Sequence, residues 1–284
     1  MVSVRKLALA LVAGLAVLLL PSSPAQDVPN PRNSLFGQSA GRILNRDFPS
    51  ADVSFLLLDA HTGIVLASRW DDAGTPIPLG SLVKPFLAIA YGEHHDFKYP
   101  DHTCRGASSG CWFPRGHGEV SLSAAIAYSC NSYFRMLAAG MTAADVLPTA
   151  VRFGLQPPAP ESSGPALIGL GQGWRTSPVD MAHAYLELIQ RREQPGVRSV
   201  VAGMALSARM GTGAEVERSL AYPDALVKTG TAACTHHHHA RGDGFVVAVE
   251  PADHPQLLLM VRVHGVPGNQ AARIAGQMIR SLQE

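Results

Sequence analysis

Apolar and polar positions divide this 284-residue chain into blocks of different period. Leu7 to Leu20 forms a 14-residue apolar run behind Arg5 and Lys6, with small Ser23 and Ala25 after it. The run is short for a membrane span and has the layout of a secretory leader, so residues 1–25 read as a signal peptide cleaved after Ala25. An uncleaved N-terminal anchor is the alternative. Residues 26–50, with Pro29, Asn30, Pro31 and Asn33, read as a linker entering a short helix near Ser39 to Asn45. Val53–Leu58 and Ile64–Ser68 flank Asp59-Ala60-His61-Thr62-Gly63, a hairpin pattern in which Gly63 suits a position of positive φ.

The middle of the chain has a helical character. Helices are expected from Ser81 to about Tyr91, over Leu122–Ala127, from the break at Ser129–Asn131 to Ala139, and over Val146–Phe153. Ser177-Pro178-Val179-Asp180 supplies an N-cap, a proline at the first helical position and an acid at the third. That helix should run to about Gln190 and stop at Pro195-Gly196, and it leaves Thr176 to Asp180 with no catalytic role. Glu93 to Arg115, rich in His, Gly and Cys, reads as an irregular excursion. Strand patterns return at Ala225–Ala232, Phe245–Val249 and Gln256–His264, the last two a hairpin through Pro251 and Pro255. Gly268–Leu282 closes the chain as a helix. Strands at both ends with helices between them give an α+β domain over residues 51–284.

Composition narrows the class. The chain is 46% hydrophobic and 16% charged, as expected for one globular domain with a sizeable core. Its net charge is +1, and without Arg5 and Lys6 the balance is 21 basic against 22 acidic residues, or −1. No electrostatic case for nucleic acid follows. Only four of the 23 basic residues are lysines, Lys6, Lys84, Lys98 and Lys228.

Two of those lysines stand in motifs. Ser81 and Lys84 are three apart, which on a helix puts them one turn apart on the same face. A serine hydroxyl needs a base within hydrogen-bond reach to act as a nucleophile, and a lysine can be that base once burial or charge lowers its pKa. Arginine cannot. Alone, the pair is ambiguous, because Ser81 also suits an N-cap and the same spacing recurs at Ser3 and Lys6. Ser129-Cys130-Asn131 can be a turn between helices, and Lys228 can be a charge guarding a sheet edge. The three motifs together, in this order, are not explained by three separate plain readings.

Ser81-Leu82-Val83-Lys84, Ser129-Cys130-Asn131 and Lys228-Thr229-Gly230-Thr231 resemble the three motifs of the penicillin-binding protein and serine β-lactamase superfamily. Trp112 to Gly118, Ser129 to Phe134, Gly171-Gln172-Gly173 before Thr176-Ser177-Pro178, and Gly211-Thr212-Gly213 are similar to a penicillin-binding transpeptidase domain. The resemblance spans about residues 50–284. It implies an antiparallel sheet flanked by helices plus a helical lobe, with the site between them.

It also implies roles. Ser81 is the nucleophile, Lys84 takes its proton, and Ser129 relays a proton between Lys84, Lys228 and the leaving amine. Asn131 bonds the substrate amide, Lys228 supplies positive charge, and Thr229 and Thr231 offer hydroxyls to the substrate carboxylate. Gly230 leaves room for substrate as an added strand, and the N–H groups of Ser81 and Thr231 form the oxyanion hole. The implied ligands are peptidoglycan stem peptides and β-lactams, with other cell-wall enzymes as partners, no cofactor and no metal. A β-lactamase is a second reading, against which stand the absence of Glu-x-x-Leu-Asn and Tyr-Gly-Asn and the polar Asn131. A non-enzymatic β-lactam sensor or scaffold is a third. The leader and the family together place the chain in a bacterial envelope.

Four cysteines remain. Export permits disulfides, and Cys104 and Cys111 are close enough across a Gly-containing loop to be the expected pair. No spacing is C-x-x-C, so the cysteines do not read as a zinc site. His117 reads as structural. His236 and His238 can share one face of a strand, but the run His236–His239 reads as a solvated loop.

Overall fold

The period-two segments assemble into an antiparallel sheet, seen in a computed structural model that describes residues 31–234 and 242–284. The leader and the His236–His239 run fall outside the described residues. In chain order the elements are α1 (Pro31–Asp47), β1 (Val53–Asp59), β2 (Val65–Arg69), β3 (Ile77–Pro78), α2 (Lys84–His94), β4 (His102–Cys104), β5 (Gly118–Val120), α3 (Leu122–Ala127), α4 (Asn131–Leu137) and α5 (Ala143–Arg152). They continue with β6 (Arg175–Thr176), α6 (Pro178–Gln190), α7 (Val197–Met210), α8 (Ala214–Ser219), β7 (Leu226–Ala232), β8 (Asp243–Glu250), β9 (Leu257–His264) and α9 (Gly268–Gln283). The main sheet has the order β2-β1-β9-β8-β7, so the two ends of the chain interleave in one layer.

Both faces of this sheet are covered, and alternate residues of each strand serve different cores. On β1, Leu56 and Leu58 enter the core shared with the helical lobe, whereas Val53, Phe55 and Leu57 enter the core under α1 and α9. On β8, Phe245, Val247 and Val249 face the lobe and Val246 and Ala248 the other side. No helix among the described residues is long and apolar enough to cross a membrane.

Several elements differ from expectation, among them the short strands β3, β4, β5 and β6 and helix α8, which the pattern reading did not draw. The helix expected near Ser39–Asn45 runs from Pro31 to Asp47, and Ala40 and Leu44 are buried against the sheet. Helix α7, which the pattern reading did not draw, starts directly after the Pro195-Gly196 stop, with Gly196 as its N-cap at φ +78°. The stop after α6 holds, and Ser177 caps that helix by accepting the Asp180 N–H at 3.0 Å.

Leu44 is completely buried. Replacing it by Ala should lower the unfolding free energy by roughly 2–5 kcal/mol in urea denaturation if α1 is an integral layer of the domain. A change below about 1 kcal/mol would mean that α1 detaches without loss to the core.

Candidate active site

The first motif opens α2 through a tighter turn than expected. Gly80–Val83 is a 3₁₀ turn and the α-helix proper begins at Lys84. In a 3₁₀ turn residues i and i+3 eclipse, so Ser81 and Lys84 still share a face. The turn is held by buried Leu82 and Val83 and by the Tyr185 hydroxyl, which donates to the Leu82 carbonyl at 2.9 Å. Gly80 sits at φ +59°, and a Cβ there would come within 2.1 Å of the Thr231 carbonyl oxygen. The turn that carries Ser81 therefore rests main chain to main chain on β7, with no room for any side chain.

The second motif lies between two buried amines. Ser129 is the break between α3 and α4 and adopts φ +49°, a left-handed conformation that costs a non-glycine residue about 1–3 kcal/mol. That turn aims its hydroxyl at both lysines, with Lys228 Nζ at 3.0 Å and Lys84 Nζ at 3.4 Å from Ser129 Oγ. Lys84 Nζ also donates to the Ser129 carbonyl at 2.8 Å and to Asn131 Oδ1 at 2.6 Å. Lys228 Nζ donates to its neighbour's carbonyl, Thr229 O, at 2.6 Å.

Both lysines are fully buried. Lys228 thus points inward from the edge strand β7 and does not guard the edge. Burial lowers the Lys84 pKa to about 7, while the thiols of Cys130 and Cys111 act in the opposite sense. Burial, and then the neighbouring Lys84, holds Lys228 well below the ordinary lysine value. No carboxylate is among the groups acting on either amine. A neutral Lys84 amine has two N–H bonds, matched by the Ser129 carbonyl and Asn131 Oδ1, and one lone pair left for a hydroxyl.

Strand β7 forms the other wall. Thr229 Oγ1 donates to Thr212 Oγ1 at 2.6 Å, and Thr231 Oγ1 accepts the Gly268 N–H at 2.9 Å. A Cβ at Gly268 would lie 2.3 Å from the Gly230 carbonyl, a second close main-chain approach. Ser81, Ser129, Asn131, Thr229, Gly230 and Thr231 line one open cleft of about 330 Å³. Lys84 and Lys228 lie behind that surface. All eight residues singled out from the sequence are brought together. Trp112, Leu170, Thr212, Pro267 and Asn269 share the lining and had been given no role. Thr212 had a signal, since Gly211-Thr212-Gly213 is one of the family-like stretches. Asn269 had none.

The cysteines correct an expectation. Cys104 and Cys111 are both free thiols, and the expected disulfide is not formed. The excursion closes toward a third party instead. The donor atoms of Cys104, Cys111, His117 and Cys130 all lie within 4.8 Å of one another, a set able to hold a metal ion. Spacing hid it because three of the donors are widely spaced along one irregular excursion and the fourth, Cys130, comes from the second motif. Cys234, Asp243 and His264 form a second such group, in which His264 Nδ1 lies 2.8 Å from Asp243 Oδ1.

Comparison with known proteins follows the same geometry. The family model of the penicillin-binding protein transpeptidase domain matches residues 53–283. No curated protein matches the sequence. Among solved structures, PBP2 of Pseudomonas aeruginosa superposes with a TM-score of 0.69 at 18% identity, over 88% of this chain and 73% of that one. PBP2 of Helicobacter pylori, solved in complex with MreC, gives 0.74 at 16% identity, over 87% and 62%. The transpeptidase domain of Burkholderia pseudomallei penicillin-binding protein 3 gives 0.67 at 16%, over 92% and 96%. At these identities the superpositions speak for the fold, and the family model speaks for descent: the chain belongs to the penicillin-binding protein transpeptidase family.

Proposed function

We propose that this chain is a serine acyltransferase acting on peptidoglycan stem peptides, a D,D-transpeptidase or D,D-carboxypeptidase, and that penicillin acylates it at Ser81. The observation that supports this most is the Ser129 hydroxyl suspended between two buried, carboxylate-free lysine amines. Such amines favour their neutral forms, which makes proton transfer at neutral pH inexpensive.

In this reading the Ser81 hydroxyl attacks the carbonyl of the penultimate D-alanine while Lys84 accepts its proton. The developing oxyanion is met by the N–H groups of Ser81 and Thr231, whose separation is fixed by the contact of Gly80 on Thr231. The C–N bond breaks, and the leaving D-alanine amine takes a proton relayed through Ser129 from the lysine pair. Asn131 holds the donor amide, and Thr229 and Thr231 hold the terminal carboxylate beside Lys228. An amine from a second stem peptide, or water, then attacks the ester and restores Ser81. A β-lactam enters by the same first step. Its leaving nitrogen stays tethered and obstructs the second attack, so the adduct persists. By analogy with the family, the domain works in the cell envelope beside other cell-wall proteins.

Intact-protein mass spectrometry after brief exposure to benzylpenicillin should show one added penicilloyl mass, absent in Ser81→Ala. Rapid penicillin turnover without an adduct would point to a β-lactamase instead, and no reaction in folded protein to a scaffold.

Lys84→Arg replaces an amine that can be neutral by a guanidinium that cannot release its proton, so penicillin acylation should fall by about 10²–10⁴-fold with the circular dichroism spectrum unchanged. Near-parental acylation would show that Lys84 is not the base.

The acylation rate of the parent should rise with pH and level off above about 7, because only the neutral Lys84 amine accepts the serine proton and burial sets its pKa there. Below that value the rate should drop about tenfold per pH unit. A flat profile from pH 5 to 9 would remove Lys84 from the rate-determining proton transfer.

A further inference from the structure

Three neighbouring strands end at one corner of the main sheet, beyond the third motif. Ala232 closes β7 and pairs with Asp243, the first residue of β8, and Asp243 pairs with His264, the last residue of β9. Cys234 lies just past the end of β7, close to Thr231 in sequence. The Gly265 N–H donates to the Gly242 carbonyl at 2.9 Å, which holds β8 and β9 together just outside the sheet. This register sets a thiol, a carboxylate and an imidazole side by side, and their donor atoms lie within 4.8 Å of one another.

The donors meet at a single atom. Cys234 Sγ lies 3.9 Å from His264 Nδ1, and Asp243 Oδ1 lies 2.8 Å from the same nitrogen. A nucleophile–base–acid relay uses the two ring nitrogens separately, the carboxylate on one and the nucleophile on the other. Convergence on one nitrogen instead arranges the three donors around a point. With metal–sulfur bonds of about 2.3 Å and metal–nitrogen and metal–oxygen bonds of about 2.0–2.2 Å, a tetrahedral ion sets sulfur about 3.6 Å from nitrogen and nitrogen about 3.4 Å from oxygen. Side-chain shifts of about 0.6 Å or less reach that geometry.

Burial and charge agree. The Asp243 side chain is 3% exposed, and its ion-pair partner among the described residues is His264, which is charged only when protonated. A carboxylate so far from water needs positive charge beside it. Arg262 is near enough to supply part of that charge: burial lowers its pKa, and Asp243 and Cys234 act in the opposite sense. Its guanidinium, however, is turned to the Ser54 hydroxyl at 2.8 Å and lies 4.8 Å over the Trp70 ring. A divalent ion balances one thiolate and one carboxylate, so the filled site adds no net charge beside that arginine. Cys234 and His264 are partly exposed, which gives an ion a way in. Thiolate, imidazole and carboxylate together suit zinc and similar ions over calcium or magnesium.

We propose that Cys234 Sγ, the Asp243 carboxylate and His264 Nδ1 bind one zinc-type ion, with a fourth position open to water, at the corner where β7, β8 and β9 end. The run His236–His239 lies outside the described residues, and the site is assigned without it. The ion joins the end of the strand that carries Lys228 to Thr231 to the end of the strand that leads through Pro267 to Asn269. Thr231, Pro267 and Asn269 all line the cleft, and the Gly268 N–H donates to Thr231 Oγ1. Binding therefore braces one wall of the cleft from outside it. The site stands independently of the function proposed above.

The test uses the full chain and Co²⁺ as the probe. Cys104, Cys111 and Cys130 belong to the other group able to hold a metal ion, so all three are changed to Ser and Cys234 is left as the one thiol. One equivalent of Co²⁺ should then produce a thiolate-to-cobalt charge-transfer band, which zinc removes. Asp243→Asn and His264→Gln should each weaken the band. Replacing His236–His239 by Ala should leave it, because that run offers nitrogen only. No sulfur band in the folded protein, a band indifferent to both Asp243→Asn and His264→Gln, or a band lost with His236–His239 would overturn the assignment; the first outcome would leave a His264–Asp243 hydrogen bond beside a bystander thiol. Saturating zinc should raise the Tm of this protein by a few degrees and raise it less once Cys234→Ser is added. An equal rise in both would overturn the bracing of the cleft wall. A count of bound metal keeps the test independent of the triple replacement: after zinc loading and dialysis, the unmodified chain should hold one zinc more than its Cys234→Ser variant, and equal counts would overturn the site.

Discussion

Two amines buried without a carboxylate are the constraint around which this domain is arranged. Lys84 opens α2 and Lys228 stands on β7, so the pair joins the helical lobe to the sheet. Burial disfavours the charge of both amines, and Lys84 further disfavours that of Lys228. The site tolerates this because hydrogen-bond acceptors surround them: two main-chain carbonyls, the Asn131 amide oxygen and the Ser129 hydroxyl. A carboxylate in the same position would form an ion pair and hold the lysines protonated. The polar cluster thus selects for basicity over binding strength, at some cost in stability.

Much of this was legible in the sequence because chemistry and local structure coincide at the motifs. The Ser81–Lys84 spacing, the turn residues Ser129 and Asn131, and a lysine followed by Thr-Gly-Thr on a strand each state a local geometry. The order of the motifs then states the assembly. The capping of α6 by Ser177 was equally plain, since an N-cap signal is contained in four consecutive residues. Helix α7 was missed although Val197, Val200, Met204 and Ala208 fall on one face and are buried. Its valines, serines and glycine are weak helix formers, and it follows a Pro-Gly stop with no polar N-cap side chain. α1 was read short because Pro31 and Asn33 look like linker residues, whereas Ala40 and Leu44 were the informative positions.

The cysteines show a different limit. Pairing by proximity in sequence favoured Cys104 with Cys111, separated by six residues that include two glycines. The fold instead brings in Cys130, which sequence reading had assigned to a catalytic motif, and His117, which had been given a packing role. Such convergence depends on tertiary placement of an irregular loop and leaves no periodic trace.

The contacts of Gly80 on Thr231 and Gly268 on Gly230 place main chain directly against main chain at the centre of the cleft. Backbone has no alternative rotamers, so there is no side chain there to be trimmed or enlarged by substitution. Variation that changes which molecules enter this cleft must therefore arise at its rim, at positions such as Trp112, Leu170 and Asn269, where side chains line the opening. The floor of the site is thus set by main-chain contact, and the side chains that can change its shape without moving the backbone stand at its opening.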